Sequence, residues 1–193
     1  MEQSKYIDIF EKHKTLIYDC IKDASSLHDA AGQRYGAFCY GVHLLGVYEY
    51  VHKFGYIEAQ TEDDVLALFI SGAYHDVIED TDIDESGLLS RLPDVLSDTL
   101  KSRIVDIVSA LTTPPGKNRK ERHCEAYYEK IRKCPLASFI KMCDRISNVR
   151  VCYVNNDEKR LKMYRKEMDA FKINPFEVPV EMYDELEIYL LNE

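Results

Sequence analysis

Val65-Leu66-Ala67-Leu68-Phe69-Ile70-Ser71-Gly72-Ala73-Tyr74-His75-Asp76-Val77-Ile78-Glu79-Asp80 is the stretch that decides the fold. An apolar run of this length reads as a buried helix, and it leads straight into four ionisable side chains. A buried helix that ends this way carries a large electrostatic cost unless a cation neutralises the acids. A metal ion is the simplest remedy. Adjacent residues on a helix point about 100° apart, so His75 and Asp76 close on one ion only from the end of a pocket. Helical geometry sets Glu79 one turn beyond His75 and Asp80 one turn beyond Asp76, which puts both acids beside the pair. Asp82, Asp84 and Glu85 extend the acidic run and read as a solvated loop.

Two further residues complete a donor set. His43 stands alone in a helical segment upstream, and Asp144 lies in Phe139-Ile140-Lys141-Met142-Cys143-Asp144-Arg145-Ile146-Ser147-Asn148-Val149-Arg150. Apolar residues at 139, 140, 142, 143, 146 and 149 keep helical spacing. Asp144 and Asn148 share a face of that helix, and Lys141 and Arg145 form a basic pair at the same spacing. Arg145 stands either near a phosphate or as the partner that locks Asp144. Neutral imidazoles with carboxylates are the ligands of Mn²⁺, Fe²⁺ or Zn²⁺. His43, His75, Asp76 and Asp144 are therefore the candidate metal ligands.

The order H…HD…D, with His75-Asp76-Val77-Ile78-Glu79-Asp80 as HDxxED and Lys141 to Asn148 as KxxDRxxN, resembles the HD superfamily of metal-dependent phosphohydrolases. Within it, the chain is most similar to the hydrolase domain of RelA/SpoT-type proteins and to stand-alone small alarmone hydrolases. The likeness runs from about His28 to Arg150. Upstream, His28 to Gly36 and Tyr40-Gly41-Val42-His43 resemble a motif that carries a basic residue and ends in YxxHP. The chain departs from it with Cys39 and Leu44 where proline is usual, with Tyr35 after Arg34 where a second basic residue is common, and with one extra residue between Arg34 and His43.

The chain reads as helix almost throughout, an all-α single domain over residues 1–193 with residues 157–191 as C-terminal helices, and the resemblance implies that the bundle is of the HD type. It implies Mn²⁺ as the cofactor and a small nucleotide as substrate. The implied reaction removes pyrophosphate from the 3′ position of guanosine tetra- or pentaphosphate (ppGpp or pppGpp), leaving GDP or GTP. A metal at these four residues would lower the pKa of a water and offset charge in the transition state. Glu79 and Asp80 are the candidates to orient that water or take its proton. Arg34, Lys141, Arg145 and Asn148 are the candidate phosphate contacts. Arg119 and Lys120 join them from Lys117-Asn118-Arg119-Lys120-Glu121-Arg122-His123, since cations at a helix N-terminus oppose the dipole and need a reason to be there. No synthetase-like or regulatory segment follows, which reads as a stand-alone hydrolase. Two alternatives stay open. One is an HD phosphohydrolase for another nucleotide, a nucleoside monophosphate or a 3′-phosphorylated one. The other is a metal-stabilised regulatory protein without turnover, which has no need of Glu79 and Asp80.

Composition agrees with an enzyme of ordinary build. The chain has 193 residues, 46% of them hydrophobic, enough for one good core. Lys and Arg number 25 against 34 Asp and Glu, a net charge of −9 that argues against coating a nucleic acid. No run approaches the ~20 apolar residues of a membrane span, and the start has no apolar signal core. The six cysteines form no CxxC pair and read as reduced core thiols, hence a cytoplasmic site. Helices are expected over about 6–27, 40–54, from Thr61 as N-cap, in short pieces around Pro93, and over 100–111, 119–132, 136–154, 157–171 and 179–191. Thr112-Thr113-Pro114-Pro115-Gly116 is the clearest break, and Asn174-Pro175 with Pro179 separates the last two helices. Of the spare histidines, His28 reads as a local structural partner and His52 as surface, while His123 has no assigned role.

Overall fold

The computed structural model describes residues 1–173 and 177–191, and of residues 135 and 169–173 the backbone only. In chain order it holds α1 (Gln3–Ala30), a hairpin of β1 (Arg34–Tyr35) and β2 (Phe38–Cys39), α2 (Gly41–Glu58), α3 (Glu62–Tyr74), α4 (Val77–Asp80) and α5 (Glu85–Arg91). Then follow α6 (Asp98–Leu111), α7 (Arg119–Arg122), α8 (Glu125–Arg132), α9 (Pro135–Val154), α10 (Glu158–Ile173) and α11 (Val180–Leu191). The architecture is all-α, as the apolar periodicities require.

Helix α3 is the central rod. Every side chain from Asp64 to Tyr74 is buried, the state of a helix with no polar face. Thr61 opens it with a capping box: its Oγ1 accepts the Asp64 amide at 3.2 Å, and Asp64 Oδ2 accepts the Thr61 amide at 2.9 Å. Helices α1, α2, α6 and α9 pack around α3, and α2 also lies against α9. This packing brings His43 on α2, the end of α3 and Asp144 on α9 to one place. The C-terminal helices α10 and α11 lie on α9, with Met182, Leu186 and Leu190 of α11 buried. Among the described residues no helix is long and apolar enough to cross a membrane.

The structure departs from the sequence reading in four places. The segment after α1 forms a two-stranded antiparallel hairpin, with Arg34 opposite Cys39 and Tyr35 opposite Phe38. Gly36 turns it at φ 63°, a conformation glycine adopts without a Cβ penalty. Next, the helix carrying the His-Asp pair is not continuous. It stops at Tyr74, His75 and Asp76 form a turn, and α4 restarts at Val77. The expected helix over 119–132 is likewise broken, because His123 leaves helical geometry (φ −93°, ψ 51°) and Cys124 is extended. The basic run that opposes the dipole thus occupies its own single turn, capped by Asn118 on the Glu121 amide. His52 is half-buried rather than a surface residue, its ring 5.1 Å from that of Phe10. Among the cysteines, Cys20, Cys143 and Cys152 are buried and Cys39 is exposed. The expected break at Asn174-Pro175 lies outside the described residues.

Candidate active site

His75 reaches the site as the residue that caps the C-terminus of α3. Its Nδ1 lies 2.9 Å from the Gly72 carbonyl, so Nδ1–H donates there and Nε2 is left as a bare lone pair. The chain then turns, which frees Asp76 from the 100° spacing of a regular helix and sets its Oδ2 2.8 Å from His75 Nε2. His43 Nε2 comes within 3.1 Å of His75 Nε2, 3.4 Å of Asp144 Oδ1 and 3.6 Å of Asp76 Oδ2. The four donor atoms all lie within 4.8 Å of one another. Ligand atoms about 2.0–2.2 Å from a shared ion stand about 3 Å apart when adjacent and about 4 Å apart when opposite. The donor set is therefore of the size and chemistry that one divalent ion takes.

Electrostatics gives the same answer. His43 and His75 are each only 2% exposed, and Asp144 only 7%. Burial alone would lower the His43 pKa, but hydrogen bonds and charge from Asp144 and Asp76 outweigh it and push it up to about 9. Burial also works against the charged form of Asp144, yet Lys141 and His43 hold its carboxyl far below the usual range. Asp76 is likewise held well below that range by His75 and His43 against the pull of burial. The two carboxylates stay ionised and draw a positive charge onto the His43 imidazole. A cation replaces that proton naturally.

A layer of partners orients these groups. Tyr40 Oη donates to Asp76 Oδ2 at 2.5 Å and also lies 3.4 Å from Asp80 Oδ2. The Tyr40 ring stacks on His28, centroid to centroid at 3.9 Å. His28 is fully buried, and burial pushes its pKa down to about 4, so it is a neutral packing partner. Asp144 receives Asn148 Nδ2 at 2.5 Å on Oδ1 and Lys141 Nζ at 2.9 Å on Oδ2. The other end of the Asn148 amide accepts from Tyr35 Oη at 3.1 Å, and the Tyr35 ring lies 4.8 Å from that of His43.

The cluster opens into a polar pocket of about 150 Å³. Asp76, Glu79, Asp80 and Asp144 supply its acidic part, and Arg119, Arg122, His123, Lys141 and Arg145 its basic part. Glu79 Oε2 accepts the Thr113 amide at 3.0 Å and its Oε1 lies 3.8 Å from Arg122 Nη1, which ties the Pro-Pro-Gly loop to the site. Asp80 has a pKa raised to about 6, first by burial and then by Asp76 and Glu79. His123 is pushed down to about 4 by burial and by Arg119, Lys141 and Arg145, so its imidazole is neutral. A larger, mostly apolar groove of about 430 Å³ opens beside Tyr35, between Val42 and Leu45 of α2 and Val151 and Val154 of α9.

The structure thus brings together His43, His75, Asp76 and Asp144 and sets Glu79 and Asp80 beside them. Lys141 and Asn148 bear on Asp144. Arg145 donates to Glu167 of α10 at 2.7 Å, and Arg119 also bonds to Glu167. Arg34 is exposed on the hairpin and donates to the Ala37 carbonyl at 3.0 Å; neither it nor the exposed Lys120 lines the pocket. Tyr35, Tyr40, Tyr164 and Glu167 were missed by sequence reasoning, while Arg122 belongs to the basic run over 117–122 that the sequence singled out. Tyr40 alone had a signal, its place three residues before His43.

No family model matches the chain, and no curated protein sequence matches it either. Among solved structures it is similar to a metazoan ortholog of SpoT, a protein that hydrolyzes ppGpp and plays a role in starvation responses. The two are 18% identical with a TM-score of 0.66, over 91% of this chain and 94% of that one. The likeness establishes the fold, an all-helical bundle shared through nearly the whole chain.

Proposed function

We propose that this chain is a metal-dependent phosphohydrolase whose substrate is guanosine tetraphosphate or a close relative, cleaved to GDP or GTP and pyrophosphate. The observation that carries the reading is the convergence of two imidazole and two carboxylate donors beside a pocket that also presents Arg119, Arg122, Lys141 and Arg145. Manganese suits this mixed donor set, held by His43, His75, Asp76 and Asp144, and when bound it polarises a phosphoryl oxygen and acidifies a water. The solved SpoT ortholog supports the nucleotide, and so does the apolar groove beside Tyr35, which suits the flat face of a base.

Asp80 accepts a proton from the attacking water, and its raised pKa suits that task near neutrality. Glu79 holds the Thr113 amide and Arg122 in place and keeps water oriented between the acids and the loop. Water oxygen adds to the phosphorus on the ribose 3′ oxygen, the bond between them breaks, and the 3′ oxygen takes up one proton. Lys141 and Asn148 keep Asp144 in its orientation. Arg119, Arg122 and Arg145 face the charge of the departing diphosphate.

A second reading, hydrolysis of a different nucleotide, is favoured by one observation. Arg34 is turned to the Ala37 carbonyl on an exposed hairpin and does not line the pocket. Product analysis decides between them. Manganese-loaded protein with guanosine tetraphosphate should yield GDP and intact pyrophosphate with little orthophosphate. Orthophosphate as the sole product, or turnover of nucleoside monophosphates alone, establishes the second reading.

A further inference from the structure

The basic part of the pocket is held from behind by a residue of the C-terminal helices. Glu167 on α10 receives Arg119 Nε at 2.6 Å on Oε1, Arg119 Nη2 at 3.1 Å on Oε2, and Arg145 Nη1 at 2.7 Å on the same Oε2. One carboxylate therefore joins two guanidiniums that come from separate elements, α7 and α9. Tyr164, one turn earlier on α10, lies against the Arg145 guanidinium at 4.7 Å from ring centroid to Cζ.

The side from which Glu167 acts is decisive. Arg119, Arg145 and Tyr164 line the pocket that holds Asp76 and Asp144, but Glu167 does not. It lines instead a tight crevice with Arg145, Tyr164, Met168, Leu186 and Leu190. A carboxylate inside the pocket would compete with an anionic ligand. One placed behind the arginines offsets their mutual repulsion and fixes the planes of their guanidiniums. Burial works against the Glu167 charge, yet the two arginines bring its pKa down to about 2, so the carboxylate is ionised at any working pH.

We propose that Glu167 is a positioning residue that clamps Arg119 and Arg145 into one fork for a phosphate or diphosphate group. The assignment rests on the phosphohydrolase reading above for the identity of the substrate, but the clamp itself is tested with inorganic phosphate. A phosphate dianion needs donors on two sides, and two guanidiniums locked on one carboxylate supply them without reordering at each encounter. The C-terminal helices thereby become part of the substrate site, not only a cover for α9.

The test is a titration of inorganic phosphate into manganese-loaded protein by calorimetry, paired with steady-state kinetics on the nucleotide found in the product screen. Glu167→Gln should weaken phosphate binding by roughly tenfold, the size of one weakened charge-assisted contact. It should raise KM by a similar factor while kcat changes by no more than about threefold. Arg119→Ala should do the same, and the double variant should fall short of the sum of the two, because Glu167 acts through the arginines. Arg119→Lys keeps the charge but not the planar fork and should also weaken binding, which tests the clamp even if Glu167→Gln folds poorly. Glu158→Gln breaks the Arg165 pair on the same helix and should leave phosphate binding unchanged. Unchanged or tighter phosphate binding in folded Glu167→Gln overturns the clamp, as do fully additive effects. Wild-type protein that turns over nucleotide without binding phosphate overturns the clamp and spares the hydrolase reading. Phosphate binding through the fork with no turnover of any nucleotide does the reverse.

Discussion

Tyr40 Oη sits 2.5 Å from Asp76 Oδ2, a charge-assisted hydrogen bond made from the last residue before α2 to the turn that follows α3. It fixes which carboxylate oxygen faces the two histidines, and the stacked His28 ring fixes Tyr40 in turn. Tyr40→Phe keeps the ring and the stacking but removes the donor. Manganese affinity should fall by about 10- to 100-fold, the usual cost of losing an outer partner of a ligand. Calorimetry checks it, and unchanged affinity would show that Asp76 is oriented without Tyr40.

His43 makes metal affinity depend on pH. Its pKa in the ion-free fold is raised from 6.5 to about 9. The proton it gains stabilises that fold fully below pH 6.5, and the contribution disappears as pH rises through about 9. Ion and proton compete for the same site, so manganese affinity should climb by up to about tenfold per pH unit between these limits and level off above them. Over the same window the melting temperature of ion-free protein should fall. Affinity that is flat below pH 9 would remove His43 from the ligand set.

Asp80 and Glu79 should separate kinetically. Asp80→Asn retains shape and hydrogen bonding but loses the proton acceptor, and kcat should drop by roughly 10²-fold or more with manganese still bound. Glu79→Gln weakens the hold on Arg122 and the loop, so a rise in KM should accompany its loss of rate. Near-normal kcat in Asp80→Asn would end its role as base.

Gly55 is required by packing. A Cβ there would lie 2.2 Å from Tyr6 Oη and 2.8 Å from its Cζ, and that hydroxyl is already bonded to the Val51 carbonyl at 2.8 Å. Gly55→Ala should cost about 1–3 kcal/mol as overpacking, a drop of several degrees in melting temperature, while manganese affinity per folded molecule is unaffected. A variant as stable as wild type would mean that the Tyr6 ring can yield.

The parts of this molecule that were legible in sequence are those where one local rule dominates. The apolar run of α3 had to be buried, and its abrupt end in His75, Asp76, Glu79 and Asp80 had to be neutralised. Asp144 stood out because it lies in a helix whose positions 139, 140, 142, 143, 146 and 149 are apolar, with His43 and the His-Asp pair available to share a ligand. The hairpin was not legible because its strands are two residues each, too short for any alternation to register. The break at His75-Asp76 was hidden for a different reason. The turn is set by how the two side chains meet His43 and Asp144, and those contacts span 32 and 68 or more positions. Glu167 lies 22 residues from Arg145 and 48 from Arg119. On a helix crowded with charges such as Glu158, Lys159, Arg160, Lys162, Arg165 and Lys166, nothing local marks it out.

The mixed charge of the pocket has a consequence for encounter in solution. The chain as a whole carries −9, which repels an approaching anion at long range, while Arg119, Arg122 and Arg145 line the pocket itself and would attract it at short range. Screening acts on these two stages in opposite senses. Added salt first relieves the long-range repulsion, then, as the Debye length shrinks to about 10 Å near 0.1 M, begins to weaken the grip within. Capture of a small anion should therefore be fastest at an intermediate ionic strength, and a long polyanion, too large for a space of about 150 Å³, should meet the repulsion without the reward. Charge and pocket size together would then favour a small anion over a long one.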